Sequence, residues 1–139
     1  MMNDMAAYIG WNQMNYIEEE IHKKRSIHSR YQEFFDTKEL FKLLFKENQD
    51  TYFNRWMNCI QIQNKLLKNE LMKEFSKRGI EVREFWYPLN KQSFLENNFY
   101  VGNHESSILY DEVLCLPSGI NLQRNDILKV TDVFESIVK

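Results

Sequence analysis

The segment Arg83-Glu84-Phe85-Trp86-Tyr87-Pro88-Leu89-Asn90 gathers a guanidinium, three aromatic rings and a carboxamide in eight positions. Aromatic faces stack on sugar or planar rings, and a guanidinium pairs with phosphate. Arg83, Trp86, Tyr87 and Asn90 are therefore candidate substrate-binding residues for a sugar or a phosphorylated nucleotide. The same residues also suit a structural role, in which Trp86 and Tyr87 finish a core and Arg83 stays at the surface. A second segment, Leu116-Pro117-Ser118-Gly119, has turn chemistry and by itself reads as a plain strand-to-helix connection.

No catalytic centre is visible in the residues alone. His22 and His28 lie roughly 240° apart around a helix and cannot share an ion from one face. Glu18 and His22 could, but two ligands do not make a site, and His104 reads as a cap or surface residue. Cys115 stands between two leucines and Cys59 has no neighbouring His, so both read as inert buried thiols. There is no G-x-S-x-G elbow, and Gly10, Gly79, Gly102 and Gly119 are too scattered to cradle a phosphate. The expected catalytic, cofactor-binding and metal-binding sets of this chain are all empty.

The elements that would carry these residues follow from hydrophobic spacing. Residues 4–35 read as one long helix, with Met14, Ile17, Ile21, His28, Tyr31 and Phe35 on one stripe and Asn3 or Asp4 as cap. Met5-Ala6-Ala7-Tyr8-Ile9-Gly10-Trp11 is apolar almost all round and expects a covering partner. Residues 36–50 form a charged connector. Thr51–Gln63 reads as a strand, and Asn64 caps a helix with a Leu67, Leu71, Phe75 stripe that ends at Gly79. Ile80–Phe85 alternates as a second strand, with Asn97-Asn98 and Gly102-Asn103 in a loop after it. A short helix spans about His104 to Tyr110. Val113–Leu116 is a third strand, and a last helix runs from about Arg124 to Val138. The expected fold is α/β: a long N-terminal helix, then a small three-stranded sheet packed with helices.

Composition narrows the function further. The 139 residues suffice for one domain, and 43% apolar content implies a buried core. Eighteen basic against twenty acidic side chains leave a net charge of −2, which argues against nucleic acid as a partner. No apolar run is long enough to span a membrane, and nothing at the start resembles a signal peptide. Two thiols in apolar settings suit a reducing cytoplasm.

Four blocks resemble one family. Asn3-Asp4-Met5-Ala6-Ala7-Tyr8-Ile9-Gly10-Trp11-Asn12-Gln13-Met14 resembles the R-M-N-D-x-x-A-A-x-x-G-x-x-Q-L helix of the DegT/DnrJ/StrS sugar aminotransferases. Met14 stands at the Leu position and the alanines fall one place early. Ile21 to Tyr31 is similar to that family's I-x-x-R-R-x-I-A-x-x-Y, and Gly79 to Leu89 to its G-I-x-x-R-x-x-Y-P-L-H. Leu114-Cys115-Leu116-Pro117-Ser118-Gly119-Ile120-Asn121-Leu122 resembles the L-C-L-P-S-G-x-x-L that precedes the final helix, notably in perosamine-synthase-like members. Met1 falls where the N-x-R-M motif has its Arg, and Asn90 replaces the usual His after Pro-Leu.

The resemblance implies a dimeric pyridoxal-phosphate enzyme of the aspartate-aminotransferase fold type. It would move an amino group from glutamate to a keto sugar nucleotide in cell-surface or lipopolysaccharide sugar synthesis. In that family a large N-terminal domain carries the Schiff-base Lys and the cofactor, and no Lys here occupies that motif. The expectation is therefore a C-terminal fragment, with residues 1–35 as the interdomain helix and 36–139 as the small domain. It would bind no pyridoxal phosphate alone and would have the large domain or a full-length relative as partner. Two other functions compete: a non-catalytic module that docks on a full-length relative, and a stand-alone small-molecule binder.

Overall fold

The computed structural model describes residues 2–95 and 98–137. Met1, Asn97 and Val138, assigned from sequence to a motif position, a loop and the last helix, lie outside the described residues. Helices α1 (Asp4–Met14) and α2 (Ile17–Phe35) replace the single expected helix. Asn3 does cap the start, its side chain accepting from the Ala6 N–H at 2.8 Å. The break falls at Asn15 and Tyr16, whose N–H groups reach back three residues, to Asn12 and Gln13, in a tightened turn. Asn12 and Asn15 are weak helix formers, and no residue of α1 is buried, so no tertiary contact holds the helix straight there. Of the expected stripe, His28, Tyr31 and Phe35 of α2 are buried, joined by Ile27, and Ile21 is half-buried. Met14 and Ile17 are exposed.

The sheet has four strands rather than three. β1 (Lys42–Leu43), β2 (Asn58–Gln61), β3 (Arg83–Glu84) and β4 (Val113–Leu116) lie in the order β1-β2-β4-β3, antiparallel throughout. β1 was hidden in the connector because two residues carry no periodicity; only its pairing with β2 defines it. The expected strand over 51–63 shrinks to Asn58–Gln61. Upstream, Glu47 captures the Phe53 N–H at 2.6 Å and Arg55 adopts a positive φ of 55°, which takes the backbone out of the ladder.

Between the strands, α3 (Lys65–Lys77) begins at Asn64, whose side chain accepts from the Leu66 and Leu67 N–H groups. It ends in a Schellman motif: Gly79, at φ +67°, donates to Ser76 and Ile80 donates to Phe75. A single 3-10 turn spans Leu89–Lys91, α4 covers Glu105–Glu112, and α5 covers Arg124–Ile137. One sheet face packs through Leu43, Ile60, Leu114 and Leu116 on α2, α3 and α5. Phe134 is the hub of this core, with the rings of Phe35, Phe41 and Phe75 at 5.1, 4.9 and 5.4 Å. No described helix is long and apolar enough to cross a membrane.

Candidate functional site on the open sheet face

The site begins with register. Residues directly opposite one another in an antiparallel pair project from the same face. Cys59 faces Cys115 and Cys115 faces Arg83, so the three form a row across β2, β4 and β3. This row lies on the face away from α2, α3 and α5, in a small cluster with Val113, Leu44, Met57, Phe85 and Leu109. Beside it runs a groove of about 520 Å³, bordered by Trp56, Arg83, Cys115, Ser118 and Leu122. The Arg83 guanidinium stands 2.8 Å from the Glu81 carboxylate and is largely exposed. It can therefore exchange that partner for an incoming anion.

Trp86, Tyr87 and Asn90 border a second groove of about 420 Å³, together with Tyr100 and Leu109. A third, of about 300 Å³, lies between Phe45, Phe53, Trp56 and Trp86. Trp56 is shared by the first and third grooves, Trp86 by the second and third, and their ring centroids are 6.1 Å apart. The four candidates thus lie along one aromatic-lined surface, with Trp86, Tyr87 and Asn90 gathered and Arg83 in the adjoining groove. Trp86 is 58% and Tyr87 47% exposed, so neither finishes the core. Phe85 takes the inward place instead.

Two side chains of α2 hold the lip of the first groove. Lys24 donates to the Ser118 carbonyl at 2.8 Å and the Trp56 carbonyl at 3.2 Å, and the Tyr31 hydroxyl donates to Pro117 O at 3.0 Å. Ser118 Oγ accepts from the Asn58 backbone N–H and side-chain amide and donates to Leu116 O. Asn58 Oδ1 lies 2.8 Å from His28 Nδ1. Burial pushes the His28 imidazole below its ordinary value, partly offset by the Asn58 contact. The neutral ring donates from Nδ1. Leu116–Gly119 is therefore more than a plain connection: it borders the groove, and its carbonyls tie it to α2.

A second clamp shapes the aromatic end. Arg25 makes a bidentate pair with Glu47 at 2.6 and 2.9 Å, and its guanidinium lies 4.1 Å from the Tyr52 ring centroid. Arg55 adds its charge to Glu47 and donates to the Phe45 carbonyl. Hydrogen bonds from Arg25 and from the Phe53 N–H draw the Glu47 carboxyl down to about 2. The sequence reading missed Trp56, Asn58, Lys24 and Glu47, and took the segment that holds Ser118 for a plain connection. A signal for Trp56 was present: Arg55-Trp56 beside a strand repeats the guanidinium-plus-aromatic composition that singled out Arg83–Tyr87.

These residues do not compose a pyridoxal-phosphate site. No described residue bordering the three grooves is a lysine. The buried Lys68 is committed to the Tyr110 carbonyl and, at 3.4 Å, to Glu84. A Schiff base needs a free amine aimed into a cleft, and the residues bordering these three grooves supply none. Among the described residues there is also no group of three metal-ligating side chains.

Residues 1–135 match the DegT/DnrJ/EryC1/StrS aminotransferase family. The chain belongs to that family. EpsN of Bacillus subtilis (strain 168), named as a pyridoxal phosphate-dependent aminotransferase, is 22% identical over 136 residues, 95% of this chain and 35% of EpsN. The aminotransferase TlmJ from Streptoalloteichus hindustanus superposes with a TM-score of 0.88 at 19% identity, over 99% of this chain and 37% of TlmJ. Helicobacter pylori PseC, an aminotransferase of pseudoaminic acid biosynthesis, superposes at 0.85 with 16% identity, over 98% and 37%. The chain spans about a third of the length of these DegT/DnrJ/EryC1/StrS relatives, and its fold is that of the matching third.

Proposed function

We propose that this chain is the C-terminal part of a pyridoxal-phosphate-dependent aminotransferase that moves an amino group from glutamate to a keto sugar nucleotide in cytoplasmic synthesis of surface sugars. Residues 36–139 act as its small domain and α1–α2 as the connection to a large domain. The observation that carries this reading is the open sheet face, where Arg83 and the Trp56–Trp86 aromatic run border a series of solvent-open grooves. Arg83 receives a phosphate or carboxylate of the substrate; Trp86, Tyr87 and Asn90 receive its ring and hydroxyl groups. Met5, Tyr8, Ile9 and Trp11 on exposed α1 supply apolar surface for the large domain, which brings the lysine and cofactor and completes the dimeric enzyme.

The test is borohydride trapping of the purified chain with pyridoxal phosphate. No stoichiometric lysine adduct is expected, and a single modified lysine at full occupancy would overturn the fragment reading. With a large-domain partner supplied, Arg83→Ala should weaken sugar-nucleotide binding about tenfold or more, the worth of a charge-assisted contact. Tight binding of the nucleotide by the isolated chain would instead favour a stand-alone binder. The same α1 surface also suits a non-catalytic module, which would join a full-length relative without changing its turnover.

A further inference from the structure

We propose that Cys59 and Cys115 are a dithiol oxidation site, closed to a cross-strand disulfide by a small hydroperoxide that enters the Arg83 groove. Their sulfurs are 3.7 Å apart and both thiols are free. The Ile62 N–H donates to Glu112 O at 2.8 Å, so residues 62 and 112 are a hydrogen-bonded pair. Three positions along, the alternation makes Cys59 and Cys115 a non-hydrogen-bonded pair, with α-carbons about 4.5 Å apart. That spacing lies within the range a disulfide spans, and closure brings the sulfurs to about 2.05 Å without moving either strand far.

The two thiols are not equivalent. Cys115 borders the groove and is 8% exposed, whereas Cys59 is 1% exposed. The Cys59 S–H contact, Lys68 and Arg83 hold the Cys115 thiol below its ordinary value, while the contact with the Cys115 sulfur and burial push Cys59 up. Cys115 is therefore the attacking thiolate and Cys59 the resolving thiol. Cys115 sulfur attacks a peroxide oxygen, the O–O bond breaks, and the sulfenic acid and one water (or alcohol) result. Cys59 sulfur then displaces the sulfenic oxygen as a second water and forms the S–S bond. Two thiols lose two electrons and two protons, and the peroxide takes up both.

The native full chain is treated with hydrogen peroxide, quenched by alkylation, and measured by intact mass and peptide mapping. The wild type should lose two hydrogens and gain a Cys59–Cys115 cross-link within one chain. Cys59→Ala should stop at a Cys115 sulfenic acid that dimedone traps. Cys115→Ala should leave Cys59 reduced, reacting about tenfold or more slowly than Cys115 does in Cys59→Ala. Circular dichroism verifies that each variant is folded; if one is not, the wild-type cross-link and its timing decide. Both thiols surviving while a free thiol in the same tube oxidises would overturn the proposal. So would cross-links only between chains, or only after urea, or equal reactivity of the two variants.

Discussion

On the helix side of the sheet, Ile60, Leu114 and Leu116 are no more than 3% exposed beneath three helices. On the other side, Cys59, Val113 and Cys115 are covered only by side chains that are themselves partly buried, with Trp56, Trp86 and Tyr87 standing in the open. The same four strands present both faces. The closed face spends its apolar surface on folding, at roughly 25 cal/mol per Å² removed from water. The open face keeps its aromatic surface available, as a binding wall must. A substitution should therefore declare its side: closed-face changes act on stability, changes at the exposed rings of the open face on ligand.

The largest effect belongs to Phe134→Ala, which empties the ring cluster of the closed face. It should cost about 3–5 kcal/mol in urea unfolding and leave much of the chain unfolded at 37 °C. A value below about 1 kcal/mol would mean that the closed face is not the stabilising one.

Next comes acidification through His28, which joins α2 to Asn58 of β2. Its folded value is lowered, so the unfolded state binds the proton first and stability falls as pH drops below about 6.5. His28→Gln should flatten that slope in denaturation curves between neutral pH and about pH 5, where few other groups titrate. Glu47 acts lower down: with its folded value near 2 against an ordinary 4.5, its contribution is full above 4.5 and disappears as pH falls toward 2. An unchanged slope in His28→Gln would detach that histidine from the stability of the fold.

The smallest stability effects should come from the open side and from α1. Trp86→Ala and Trp11→Ser should each change unfolding free energy by about 0.5 kcal/mol or less, since both rings are more than half exposed. The first should nonetheless weaken sugar-nucleotide binding once a large domain is supplied, and the second should weaken capture of that domain. A cost of about 2 kcal/mol from either would show that its exposed ring is already holding the fold together.

What the residues revealed of this division depended on how local the cause was. α3 was legible at both ends because Asn64 and Gly79 act on their own backbone, and the Leu71–Phe75 stripe repeats at helical spacing. α5 and the buried thiols were legible for the same reason. β1 was not, because a two-residue strand exists only through its partner. The break after Met14 was masked by apolar residues that suit a helix equally well with or without a neighbour. Of the site, the Arg83–Asn90 run was visible as composition, and the exposure of Trp86 and Tyr87 came only from the packing of Phe85. The Glu47 clamp joins residues 22 apart through a strained loop, and the Ser118 lip joins residues 60 apart. Neither leaves a periodic trace. The alternation of β2 and β4 could have announced the facing of Cys59 and Cys115 only if the register had been known.

Lys24 binds two carbonyls at the border of the first groove, one at Trp56 and one at Ser118, where the β2 and β4 backbones run on past the ladder. A single ammonium on α2 thus acts as a rivet through both. The two backbones cannot spread independently there, and a tilt of α2 pulls on both together. Whatever the groove grips is moved as α2 moves, so the helix is a handle on the cleft as well as its support.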